Sequence, residues 1–131
     1  MPVMAMQHYS DPVEEIFDRI GDLSEFKVPR NLVLVGIYMR PSATKGGILL
    51  TDTYREEDKW QGIAGLVLKR GPLAFKSEDG RFEGFDPEPG TWITFRPSDG
   101  IKFDIRSKEG HCILVKDDLI QMMIPSPDLV F

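Results

Sequence analysis

Cysteine and histidine are nearly missing from this sequence: Cys112 stands alone, and His8 and His111 are the only histidines. A single thiol excludes an internal disulfide and points to a reducing compartment. Neither histidine stands at metal-ligand spacing from Cys112 or from another ligand. In "HC" the two side chains of a strand would project to opposite faces, so they cannot share one ion. There is no phosphate loop, no nucleophile elbow and no triad-like grouping of Ser, His and Asp. No apolar run approaches the length of a membrane span, and "MPVMAMQHYS" is too short and too weakly charged for a signal peptide. A basic excess is also lacking: the formal net charge of -5 works against a nucleic-acid surface, which needs clustered Lys and Arg. The expectation is a soluble cytoplasmic protein that is not an enzyme, holds no cofactor or metal, and partners neither nucleic acid nor membrane.

What is present is enough for one domain with a real core: 131 residues, 41% hydrophobic and 28% charged. "SDPVEEIFDRIGDLSEF" predicts a short helix. Ser10 or Asp11 can cap it, Pro12 suits its first turn, and Glu14 and Glu15 sit where the helix dipole favours acid. Val13, Ile16, Phe17 and Ile20 form one apolar stripe, and Gly21 ends the element. That stripe is expected to pack on the domain itself; docking a neighbouring subunit is the alternative.

From Pro29 onward the texture is that of strands. "NLVLVGIYM", "GLVLKRG" and "TWITFRP" are rich in β-branched and large apolar residues. "IKFDIRS" alternates, with Ile101, Phe103 and Ile105 on one face, and "HCILVK" and "LIQMMI" follow. "RGP", "EDG", "DPEPG", "PSDG" and "KEG" supply the turns. Short strands with no long helix after Gly21 indicate an all-β barrel or sandwich. Asp117–Asp118 and Glu56–Glu57–Asp58 read as solvated carboxylate runs, and Cys112 as a buried inert thiol.

One stretch fits neither strand nor helix. "KGGILLTDTYREEDKW" sets Ile48, Leu49 and Leu50 consecutively after Gly46–Gly47 and before a dense run of charge. A half-buried strand would alternate, and a helix would not open on two glycines. It lies within a non-strand stretch from Pro41 to Gln61, a length that marks a functional loop. An ordinary barrel strand at Ile48–Leu50 is the competing expectation.

Taken in order, these segments resemble the GroES, or chaperonin-10, co-chaperonin family over roughly Arg30 to Met123. "LVLV" is similar to the family's opening strand and "TKGGILLTDT" to its mobile-loop motif. "GLVLKRGP" resembles the strand and turn that close that loop. "EPGTWITF" and "GIKFDI" resemble the next two strands, and "ILVKDDLIQMM" the closing strand with its acidic terminus. The departures are an added segment before the opening strand, Thr91 in place of the usual Asp after Gly90, and Ser98 where many members carry Tyr. Bulkier residues also run from Arg55 to Trp60. These suit a divergent member, a virus-encoded one among the options, which would then work in a host cytoplasm.

The resemblance implies a GroES-like small β-barrel over 30–124, with a mobile loop at about 41–61 and a roof-type hairpin at about 72–88. Residues 1–29 would be an added extension with its helix, and 125–131 a tail. Asp79–Gly80 would turn the hairpin, with Phe75, Phe82 and Phe85 around it. Gly46, Gly47, Ile48, Leu49 and Leu50 would dock on a GroEL-type chaperonin, which binds the ATP. Burying three such side chains yields roughly 5–9 kcal/mol, while ordering a dozen loop residues costs on the order of 1 kcal/mol each. One loop would thus bind feebly and a ring of loops firmly. The ring, a homo-heptamer by resemblance, would pair Leu32, Val33, Leu34 and Val35 of one subunit with Leu119, Ile120, Met122 and Ile124 of the next. The alternative is a structural block of a larger assembly, such as a virus particle, built on the same barrel.

Overall fold

The computed structural model describes residues 11–38, 63–105 and 110–130. The expected helix is α1, Pro12–Ile20. Asp11 is its cap, its carboxylate accepting the Val13 N–H at 3.0 Å, with Glu14 and Glu15 in the first turn and Arg19 in the last. The strands are β1 Leu32–Ile37, β2 Ala64–Arg70, β3 Trp92–Phe95, β4 Ile101–Asp104, β5 His111–Lys116 and β6 Ile120–Ile124. They form one six-stranded sheet in the order β4-β5-β1-β2-β3-β6, every neighbouring pair antiparallel.

That order cannot lie flat. β5 and β6 are separated by three strands in the sheet but by only three residues in the chain, Asp117–Leu119. Four inter-strand steps span roughly 19 Å, whereas a 3₁₀ turn of that length advances about 8 Å. The sheet therefore curls until the end of β5 reaches the start of β6. Among the described residues it does not close, and β4 and β6 are its two outermost strands. The all-β class holds, as one curled antiparallel sheet with a single helix among the described residues.

Both faces of the sheet are buried, which explains why β1, "LVLVGI", is apolar at nearly every position rather than alternating. Inside the curl, Val33, Val35, Val67, Ile93, Phe95, Ile113 and Val115 meet Phe75 and Ile120. On the outer face, Leu34, Leu66, Leu68, Trp92 and Cys112 pack beneath Ile16 and Ile20 of α1, with Val13 and Phe17 at the margin. The helical stripe thus packs on its own domain through Ile16 and Ile20. Gly36 makes the seat. A Cβ there would lie 2.8 Å from Cγ2 of Ile16 and 3.3 Å from Cδ1 of Ile20.

The corner between β5 and β6 is held by a residue whose sequence context suggests surface. Asp117 is 3% exposed, not solvated. One carboxylate oxygen accepts from Asn31 Nδ2 at 3.0 Å, and the other from the Phe75 N–H at 2.9 Å. Its own N–H donates to the Asn31 carbonyl at 3.0 Å. One side chain therefore ties the start of β1, the corner, and the segment after β2. Its neighbour Asp118 is exposed, as expected.

The roof-type hairpin expected at 72–88 does not form. The segment contains turns and no strand. The Asp79 carboxylate accepts from Ser77 Oγ at 2.6 Å and from the Arg81 N–H at 3.0 Å, and Gly80 takes a left-handed φ of 76°. Further turns close with Glu83 N–H to Gly80 O at 3.0 Å and Phe85 N–H to Phe82 O at 2.9 Å. The aromatics decide this outcome. Phe82 and Phe85 both meet the Phe75 ring edge-on, at centroid distances of 5.7 and 5.8 Å, plugging the mouth of the curl instead of alternating across a ribbon. Phe75 holds a φ of 59°, unusual for an aromatic residue, with its N–H fixed by Asp117 and its ring in the core.

Two variants test this construction. Asp117→Ala leaves the buried Phe75 N–H unpaired and is expected to cost about 1–3 kcal/mol in urea unfolding; an unchanged midpoint would show that the corner is held otherwise. Gly36→Leu overfills the helix seat and is expected to cost a similar 1–3 kcal/mol. Amide exchange should rise in α1 before it rises in β1, and uniform protection would contradict the seat.

Candidate functional site

The expected chaperonin-binding residues Gly46, Gly47, Ile48, Leu49 and Leu50 lie outside the described residues, as does the Glu56–Glu57–Asp58 run. Their anchorage is described. Residues 39–62 leave from the end of β1 and return at the start of β2, and these strands are paired up to Ile37 opposite Gly65. Beyond that pair the Tyr38 N–H donates to the Ala64 carbonyl at 3.0 Å. The Tyr38 ring stands edge-on to Trp92 at 5.6 Å, so the exit point is pinned into the outer core. Both ends of the segment thus leave side by side at one end of the sheet.

The expected subunit-pairing residues are divided. Val33, Leu34 and Val35 are buried, Leu32 is half-buried, and β1 is hydrogen-bonded to β2 on one side and β5 on the other. β1 therefore has no free edge to offer a neighbouring subunit, and its expected pairing with a neighbour's closing strand is corrected: two ladders already use its backbone. Of the second group, Leu119 belongs to the corner turn, Ile120 is buried inside the curl, and Ile124 is half-buried on the outer face. Met122 is 48% exposed on β6. β6 pairs with β3 alone, and among the described residues no strand covers its other side.

The alternation of Ile101, Phe103 and Ile105 has a different outcome from burial. Ile105 is in the outer core, but Ile101 is 71% exposed and Phe103 38%. β4 is the other edge, and the apolar row runs off the part of the sheet that α1 covers. Sequence reasoning finds the row from its period but cannot find its exposure, which depends on strand order.

A shallow cleft of about 310 Å³ opens beside the start of β6, lined by Arg81, Phe82, Phe85, Asp118, Ile120 and Gln121. Arg81 is paired with Asp79, whose carboxyl is held at about 2 by hydrogen bonds from Ser77 and Arg81. No nucleophile–base pair lines this cleft. Among the described residues no group of three or more His, Cys, Asp or Glu is placed to hold a metal ion, and no helix is long and apolar enough to cross a membrane. His111 contacts Asp104 across the β4–β5 pair at 2.5 Å, and Cys112 beside it is fully buried on the outer-core side. Burial, aided by the Asp104 charge, pushes the Cys112 thiol up to about 12.

No protein-family model matches the sequence, and no curated protein matches it either.

The thiol supplies a pH test. Because its folded pKa lies above the ordinary 9.0, the folded state keeps the full benefit of the neutral thiol below that value. It loses that benefit as pH rises towards about 12. At pH near 8.5, iodoacetamide should modify the native chain at least ten-fold more slowly than the urea-unfolded chain. Equal rates would mean that Cys112 is not enclosed.

Proposed function

We propose that this chain is a co-chaperonin: a ring-forming subunit that caps a GroEL-type chaperonin with the segment between β1 and β2. It would thereby assist folding driven by the partner's ATP hydrolysis. The observation that carries the reading is the order of six GroES-like segments along the sequence, centred on "TKGGILLTDT". The fold is compatible with it. An antiparallel sheet curled short of closure suits a small barrel, and a segment tethered at both ends beside Tyr38 and Ala64 suits a docking arm. Ile48, Leu49 and Leu50 would be the contact, and Gly46–Gly47 would let the backbone turn into it. Weak single contacts multiplied around a ring give firm yet reversible capture.

The second reading, a building block of a larger assembly, draws on the apolar side chains exposed on the two outermost strands, Ile101 on β4 and Met122 on β6. A chaperonin's ATPase separates the two: a cap suppresses turnover, and a building block leaves it alone.

Ile48→Asp is the direct test. The variant should fold and assemble as the parent does and lose at least ten-fold in capture of a GroEL-type chaperonin with ATP. Full capture by the variant would remove the assignment. An unfolded variant would instead place Ile48 in the barrel.

A further inference from the structure

We infer that the cleft beside the start of β6 takes a basic side chain, lysine or arginine, presented by a partner polypeptide. The inference does not rest on the co-chaperonin reading and draws on residues outside 39–62.

The floor of the cleft is apolar. Ile120 is buried at it, and Phe82 and Phe85 are half-buried, both backed by the Phe75 ring. About 310 Å³ of space lies above them, room for one long side chain and the peptide group that bears it. A lysine or arginine suits such a floor. Its methylene stem lies along apolar surface while the charged head reaches the rim, and aromatic rings attract a cation. Arg81 shows the contact from within the chain, its guanidinium carbon 5.8 Å from the Phe82 centroid.

The rim selects the sign of the charge. Arg81 is the one cation among the described residues that line the cleft, and Asp79 already engages it, Nε to Oδ2 at 3.2 Å. The Asp79 bond first, and then the charges of Asp118 and Asp117, push the Arg81 guanidinium above its ordinary value. One cation thus stands among three carboxylates, of which Asp117 is buried with neutral donors on both oxygens. Asp118 is exposed and takes part in no hydrogen bond or ion pair among the described residues. A cation lying on the apolar floor meets that uncommitted carboxylate, whereas an anion meets repulsion. Residues 76–88 carry five carboxylates and two cations, Asp79 and Arg81 included, and the whole chain has a formal net charge of -5. The field around the cleft therefore favours the approach of a basic partner.

Gln121 points to a polypeptide rather than a small cation. The β3–β6 ladder pairs Thr94 with Met122 and Phe95 with Ile120, so Gln121 is the extra residue of a bulge on β6. It stands opposite no residue of β3, and its exposed side chain lines the cleft. A carboxamide offers both an acceptor and donors, the complement of a peptide group's N–H and carbonyl. Next to Asp118, Gln121 is placed to hold the backbone that carries the basic side chain.

The test is a backbone NMR titration of the full chain with end-blocked tripeptides. Ala-Arg-Ala and Ala-Lys-Ala should give saturable shifts at Phe82, Phe85, Asp118 and Gln121, fading as salt rises to about 0.5 M. Asp118→Asn, at an exposed site with no bond to lose, should keep the parent spectrum elsewhere and bind about five-fold more weakly. Unchanged binding by that variant would overturn the inference. Gln121→Ala should reduce binding of the arginine peptide to that of n-butylguanidinium, which has the charged head but no peptide group. Equal binding of Ala-Leu-Ala would mean an apolar site without charge selection, and would overturn the inference. Preference for Ala-Glu-Ala would assign the cleft to Arg81 and overturn it as well. Equal binding of n-butylguanidinium and the arginine peptide by the parent chain would overturn the polypeptide as occupant. Absence of shifts at the cleft with every probe would overturn the whole inference. Each of these outcomes leaves the Ile48→Asp test of chaperonin capture unaffected.

Discussion

The short passage from β5 to β6 governs the architecture. A chain that must move from the second position of a sheet to the sixth within three residues has to bring those positions together in space, and only curvature does so. Asp117 sits at that passage and satisfies three segments with one carboxylate and one amide. Burying a carboxylate is costly unless its oxygens are paired, and here both have donors from within the chain. The same residue fixes the Phe75 backbone, and Phe75 in turn collects Phe82 and Phe85 over the mouth of the curl. Curvature, corner and aromatic plug form one linked construction.

Curvature also creates two sides with different coverings. The inner side is filled by strand residues and the plug, while the outer side needs a separate layer, and α1 provides it. Ile16 and Ile20 each contribute on the order of 1.5–3 kcal/mol through burial, and Gly36 lets the helix come close enough to reach them. The covering is incomplete. α1 packs over β1 and β2, while Ile101 and Phe103 on β4, at the end of the strand order, stay exposed although their spacing is that of a core strand.

How much of this was legible in the sequence follows from which features are local. The helix was, because its cap, acidic first turn, stripe and terminal glycine lie within eleven residues, Asp11 to Gly21. All six strands were, because β-branched runs between turn signals need no distant information. Strand order was not, since nothing in "LVLV" announces that β2 and β5 will occupy both of its sides. Asp117 looked like half of an exposed acidic pair because its partners, Asn31 and Phe75, lie 86 and 42 residues away. The segment around Asp79–Gly80 has the composition of a hairpin, yet the aromatic contacts outweighed strand pairing there.

The adjacency of Tyr38 and Ala64 has an evolutionary corollary. A stretch whose two ends are fastened next to each other is a cassette: exchanging its contents or altering its length leaves the register of the surrounding strands untouched, at an entropic cost that grows only with the logarithm of length. The residues between Tyr38 and Ala64 can therefore change in identity and number while the scaffold on either side stays constant.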